Sequence, residues 1–182
     1  MIWQAFIEEI ETGTHYKNFL TTLYGETPKI SYSWHVGIPG SEVSPHVDSK
    51  NKMGTHIFYF NTSEDWNPAW GGELIVLGNK ISTDQNPEFE HFGHQVPISI
   101  VDNRSFVFKN NPEAWHGVKK LVCPEGAYRR LFNVILKFDR PVKTKQKKVK
   151  KPAGLLQRLK KFFIPFFRPQ AQNLGGEARG IP

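Results

Sequence analysis

At 182 residues the chain can hold one domain with a substantial core and little beyond it. A hydrophobic content of 38% with 13% aromatic residues leans toward a β-rich fold, because aromatic side chains suit pleated surfaces. The net charge of +7 belongs to the tail: residues 1–140 carry 13 basic against 16 acidic side chains, residues 141–182 carry 11 against 1, and a nucleic-acid surface on the body is not expected. The single cysteine, Cys123, excludes an internal disulfide and fits a reducing, cytoplasmic setting. The first residues do not read as a signal peptide, and no apolar run is long enough to span a bilayer. The expected division is a folded domain over 1–140 and a basic extension over 141–182.

Residues 2–11 place Ile2, Phe6 and Ile10 on one face, which predicts a short amphipathic helix ended at Gly13. A second helix is predicted over 15–24, with Tyr16, Phe19, Leu20 and Leu23, stopped at Gly25. Both are expected to cover a sheet. Residues 29–36 alternate Ile30, Tyr32, Trp34 and Val36 with polar side chains and read as a half-buried strand. His35 falls on its polar side, either exposed or at a pocket mouth. A turn over 37–41 leads into Ser44-Pro45-His46-Val47-Asp48. The next strand, 55–61, puts Thr55, Ile57 and Tyr59 on one face, and His56 on the other as a packed or outward-facing histidine.

Gly71-Gly72 turns the backbone into a strand over 73–77. Residues 78–97, with Pro87, Gly93 and Pro97, predict a long loop holding a short extended piece, with His91 and His94 on its surface. Residues 98–101 and 105–108 flank Asp102-Asn103-Arg104 as a hairpin would. A turn through Asn110-Asn111-Pro112 precedes a short strand with His116, and 128–138 is the longest strand. Seven or eight short strands after two helices predict a sandwich or jelly roll.

The chemistry concentrates on His46 and Asp48. On an extended strand residues two apart project to the same side, so both reach one space. With a third ligand from elsewhere they cap one face of a metal ion and leave the opposite positions open, which suits non-haem Fe(II). His116, after its turn and on a distant strand, is the third ligand. Arg129 and Arg130 open the last strand, and alternation lets only one of them point inward. A buried arginine needs an anionic partner, and a co-substrate carboxylate held by parallel N–H bonds is one; Tyr59 stands ready to add its hydroxyl.

These pieces resemble the Fe(II)/2-oxoglutarate-dependent dioxygenases, in particular the prolyl-hydroxylase-like branch. The matching runs are His46-Val47-Asp48, Tyr59-Phe60-Asn61, Trp70-Gly71-Gly72-Glu73-Leu74, Ser105-Phe106-Val107-Phe108, Trp115-His116-Gly117-Val118 and Arg129-Arg130-Leu131-Phe132, together covering roughly 30–138. The resemblance implies a mainly β, double-stranded β-helix (jelly-roll) core with the two N-terminal helices packed on its sheet. It implies iron held by His46, Asp48 and His116. It favours Arg129 over Arg130 for the far carboxylate of 2-oxoglutarate, in a pocket lined by Thr55, Tyr59 and Leu74. The implied cofactors are Fe(II), 2-oxoglutarate and O₂, with ascorbate as an optional reductant. The implied reaction hydroxylates an unactivated C–H bond of a prolyl residue or a small molecule and releases succinate and CO₂. Because Asp48 fills the acidic ligand position, hydroxylation rather than halogenation is expected. The stretch from His116 to Arg129, with Cys123-Pro124-Glu125-Gly126, is longer than is usual in the branch.

The reading from a different class is a non-catalytic jelly-roll binding module, tethered to a membrane surface by its tail. In that tail, 143–151 is a basic linker, and 154–167 gathers Leu155, Leu156, Leu159, Phe162 and Phe163 on one helical face opposite Arg158, Lys160 and Lys161. Such a face fits an anionic membrane, an acidic partner, or the protein's own body. Residues 169–182 are expected to be disordered.

Overall fold

The structure is a computed structural model that describes residues 2–139. The basic linker, the amphipathic segment and the Gly- and Pro-rich end expected from the sequence lie outside the described residues. Helix α1 runs Ile2–Thr12 and helix α2 runs Thr14–Tyr24, joined at Gly13. The Glu9 carboxylate of α1 accepts the N–H of Tyr16 at 2.7 Å, which satisfies one of the free donors at the start of α2. Gly25 ends α2 in the left-handed region, at φ 82°, where its N–H returns to the Thr21 carbonyl.

Eight strands follow: β1 (Lys29–Gly37), β2 (Val43–His46), β3 (Lys52–Tyr59), β4 (Leu74–Lys80), β5 (Phe92–Ile98), β6 (Ser105–Lys109), β7 (Trp115–Val118) and β8 (Arg129–Lys137). They form two four-stranded sheets, in the orders β1-β8-β3-β6 and β2-β7-β4-β5. Every ladder between named strands is antiparallel. The chain passes from sheet to sheet at most connections, which makes this architecture the expected double-stranded β-helix, or jelly roll.

Two apolar cores sit on opposite faces of the β1-β8-β3-β6 sheet. On the outer face Phe132, Val134 and Leu136 of β8 and Met53 of β3 pack with Ile10, Tyr16 and Leu20 of the helices. On the inner face Leu131, Ile57 and Tyr59 pack with Leu74, Trp66, Ile100, Val118, Leu121 and Cys123. β8 is therefore buried on both faces, and its alternation sorts Arg129, Leu131 and Asn133 toward the interior of the jelly roll. The long stretch after His116 is accommodated because Leu121 and Cys123 fold into this inner core.

Two expectations are corrected. Residues 92–98 are a regular strand rather than part of a long loop; β5 is a sheet edge, where Gly93 and Pro97 are tolerated because one side of the ladder is free. Residues 98–108 do not make a hairpin, since β5 and β6 belong to different sheets. The segment between them crosses over through Asp102 and Asn103, both at positive φ. On β1, His35 is exposed and also lines the cavity, while Tyr32 and Trp34 lie on the helix side with Trp3 and Phe132.

Candidate active site

His46 and His116 are register partners on the neighbouring strands β2 and β7, and their ring centroids are 4.4 Å apart. Asp48 lies just past the end of β2 rather than on the strand. It still converges: the potential ligand atoms of His46, Asp48 and His116 all lie within 4.8 Å of one another.

Each imidazole is oriented by its own backbone. His46 Nδ1 is 3.0 Å from the Ser44 carbonyl and His116 Nδ1 is 2.9 Å from the Ala114 carbonyl. A carbonyl only accepts, so both Nδ1 atoms carry the proton and both Nε2 lone pairs are left for a metal. Burial holds the His116 ring below the usual histidine range, and the nearby His46 adds to this against the opposing pull of Asp48 and the Ala114 carbonyl. The ring is thus neutral, the form that binds a cation.

Asp48 is held from three sides. Burial pushes its carboxyl up, but the Lys52 ammonium at 2.5 Å from Oδ1 and the Thr55 hydroxyl at 3.0 Å from Oδ2 more than offset this, and the group stays ionised below the usual carboxylate range. The loop that carries it is tied down by the Asn110 amide, which donates to the carbonyls of Asp48, Ser49 and Lys52. Two imidazole nitrogens and a carboxylate, gathered to one side, fit a divalent first-row ion with open positions.

A cavity of about 220 Å³ opens from this triad. His46, Asp48 and His116 line it together with Thr55, Ile57, Leu74, Val118, Leu131, Asn133 and Arg129. Arg129 is buried, at 8% exposure, and its Nε donates to the Gly72 carbonyl at 2.6 Å. Its guanidinium lies 5.6 Å from the Tyr59 ring centroid. Among the described residues it has no ion pair, and burial pulls its pKa down against the opposing pull of Tyr59 and Glu73 nearby. Arg130 points the other way, exposed and paired with Asp65. The alternation of β8 therefore answers which arginine turns inward.

Gly72 makes the arginine's place. At φ 96° and with a Cβ that would stand 3.1 Å from Arg129 Cδ, only glycine fits there without strain. Asn61 fixes the start of β8 by accepting the Arg130 N–H at 2.7 Å and donating to the Tyr128 carbonyl at 2.9 Å. Tyr59 stands behind the cavity wall rather than in it; its hydroxyl is buried without a partner among the described residues, and burial raises its pKa to about 12. A buried guanidinium with its Nε spent on a carbonyl and no ion pair among the described residues is an environment that a carboxylate ligand completes.

Of the other histidines, His35 is exposed and lines the cavity, so both halves of its reading hold. His56 is packed under α2 with Nδ1 3.1 Å from the Tyr16 hydroxyl. His91 and His94 lie on the surface away from the triad, His91 near Asp84. Lys52, Asn110, Gly72 and Asn133 were not singled out from the sequence as site residues. Only Gly72 carried a local signal, as half of a Gly-Gly turn.

The sequence profile of the 2OG-Fe(II) oxygenase superfamily matches residues 31–137, more than half of the chain. The chain belongs to this superfamily. Its cofactors are accordingly Fe(II), 2-oxoglutarate and O₂, and the His46, Asp48 and His116 group is a metal-binding arrangement of the kind such a protein needs. No curated protein sequence matches the chain. Among solved structures, a Pseudomonas putida prolyl-4-hydroxylase shares 19% identity at a TM-score of 0.48, over 68% of this chain and 60% of that one. A Trichoplax adhaerens prolyl hydroxylase, in complex with a hypoxia inducible factor oxygen degradation domain peptide fragment, gives 19% and 0.43, over 70% and 58%. A prolyl 4-hydroxylase from Phytophthora capsici gives 19% and 0.48, over 78% and 48%. The chain thus spans about half to three-fifths of the length of these proteins.

Proposed function

We propose that this 2-oxoglutarate oxygenase hydroxylates an unactivated C–H bond and releases succinate and CO₂. One observation carries the reading: a single cavity joins a three-ligand metal face to a buried arginine that makes no salt bridge among the described residues. His46, Asp48 and His116 would hold the iron. Bound there with 2-oxoglutarate, the iron supplies O₂ activation and the oxidising power.

The chain's own residues do the rest. Arg129 takes the far carboxylate of 2-oxoglutarate through its guanidinium, pre-set by the Gly72 carbonyl, with the Tyr59 ring behind it. Leu74, Ile57, Leu131 and Val118 give an apolar wall that keeps water from the reacting centre. Thr55 lines the same wall but spends its hydroxyl on Asp48. The carbonyls of Ser44 and Ala114 hold both imidazoles in the ligating tautomer. Exposed His35 and Val43 stand on the cavity's rim, where a prolyl side chain or a small molecule of similar bulk would enter.

Anaerobic Fe(II) with 2-oxoglutarate is expected to give a weak visible charge-transfer absorption that is lost in His46→Ala. Succinate release over peptide and small-molecule pools, followed by a mass gain of one oxygen atom on the hit, then names the substrate. Folded wild-type protein that shows no such absorption overturns the reading.

A further inference from the structure

Three of the four sheet edges are blunted. β2 is four residues long, contains Pro45 and shifts register against β7. β5 contains Gly93 and Pro97. β6 is five residues long and ends at Lys109. Shortness, proline, irregular register and lysine each discourage a further strand from adding to an edge.

The fourth edge, β1, lacks these devices along its length. It is the outermost strand of its sheet and pairs with β8 in unbroken register over all nine residues. It contains no proline, and its lysine, Lys29, sits at the very end. Among the described residues no backbone hydrogen bond uses the side of β1 away from β8. Its apolar face is open as well: Tyr32, Trp34 and Val36 are 37%, 49% and 59% exposed.

The order of residues along β1 says what fits this edge. Lys29-Ile30-Ser31-Tyr32-Ser33-Trp34-His35-Val36-Gly37 reads nearly alike in both directions about Ser33. Aromatic residues flank Ser33, polar residues follow, and β-branched residues come next. An antiparallel second copy with Ser33 opposite Ser33 sets Tyr32 against the partner's Trp34, Ile30 against the partner's Val36, and Ser31 against the partner's His35. Aromatic meets aromatic, β-branched meets β-branched, and polar meets polar, the cross-strand pairs that stabilise a sheet. Lys29 falls opposite the partner's Gly37, so like charges do not meet. Such self-complementarity is what a two-fold interface requires. The edge is about 30 Å long. Its open side chains and backbone offer roughly 500 Å² per copy, about 1,000 Å² for the pair, the lower limit for a specific interface.

We infer that β1 is a dimerisation edge: two copies of this chain pair β1 with β1, antiparallel about Ser33, and the two four-stranded sheets become one of eight strands. His35 also lines the cavity, so the partner's strand borders the cavity mouth.

The test is sedimentation velocity of the full chain from about 1 to 100 µM, the range over which so small an interface associates. Wild type is expected to pass from monomer to dimer as concentration rises. Val36→Lys places a lysine at an exposed position of the edge. It is expected to weaken the dimer by at least about tenfold and to leave the melting temperature of dilute protein unchanged. Mild oxidation reads the register. In Ser33→Cys the two introduced thiols lie directly opposite, about 5 Å between Cα atoms and within disulfide reach. In Ser31→Cys they lie about 13 Å apart, beyond it. Ser33→Cys should therefore cross-link and Ser31→Cys should not, with buried Cys123 common to both. Wild type that stays monomeric over the whole range overturns the inference. A dimer that resists Val36→Lys, or whose Ser33→Cys form does not cross-link, runs through another surface and overturns it as well. If Val36→Lys unfolds, the two cysteine variants decide, and equal cross-linking of both sinks the assigned pairing.

Discussion

Arg129→Met separates an arginine that serves a ligand from one that serves the fold. In an ordinary buried ion pair, removing one partner strands the other charge and costs about 3–5 kcal/mol. Arg129 has no ion pair to break among the described residues. The substitution loses its hydrogen bond to the Gly72 carbonyl, about 1.5–3 kcal/mol for a charged donor. It also loses the guanidinium contact with Tyr59, about 0.5–2 kcal/mol. Against these stands the relief of burying an unpaired cation, several kcal/mol in effect. The sum lies near zero, so the melting temperature of ligand-free protein should move by less than about 5 °C in either direction. Affinity for 2-oxoglutarate should fall by at least about thirtyfold, the loss of a buried charge-assisted contact. Differential scanning fluorimetry and calorimetric titration of Mn²⁺-loaded protein read the two effects. A melting temperature lowered by about 10 °C or more, with 2-oxoglutarate affinity retained, would refute the reasoning by showing that Arg129 is a structural ion.

Gly72→Ala should act on the same arginine from outside the cavity. Its Cβ would crowd Arg129, Ile100 and Trp66 at a positive φ, so stability should drop by about 1–3 kcal/mol in urea unfolding. 2-Oxoglutarate affinity should fall with it, and an unchanged affinity would argue against the cradle. His56 makes the fold acid-sensitive. Its pKa is lowered from 6.5 to about 4 by burial, so the unfolded chain takes up the proton first as pH falls. Stability is full above about pH 6.5 and lost on the way down to about pH 4, by about 3 kcal/mol in all. His56→Phe should flatten that slope in urea unfolding between pH 7 and 4; a slope left as in wild type would place the acid sensitivity elsewhere. Leu136→Ala, at 0% exposure between the helices and the sheet, should cost about 2–5 kcal/mol in the same measurement. A loss of under about 1 kcal/mol would mean that the outer core is looser than its burial implies.

Most of the strand order in sequence was legible because period-two alternation is a local signal. β1 announces itself by it, β8 by a long apolar run, and both helices by Gly13 and Gly25 at their ends. β5 was missed because Gly93 and Pro97 mimic a loop, and only its place at a sheet edge makes them acceptable. The hairpin expected around 102–104 failed because a turn signal does not say whether the two strands it joins share a sheet. The convergence of His46, Asp48 and His116 was expected, yet not by the route supposed. Asp48 is off the strand, and Lys52, Thr55 and Asn110 hold it there through contacts between separate segments.

The sequence by itself determined which residue types were available to bind a metal and an anion, and that only one of Arg129 and Arg130 could face inward. Both follow from local chemistry and the two-residue repeat of an extended chain. The family resemblance favoured Arg129, and the tertiary structure turns that arginine inward, since the choice depends on which face of β8 the helices cover. Tertiary structure also decided how Asp48 is held, because the Asn110 amide reaches its loop from a segment far along the chain.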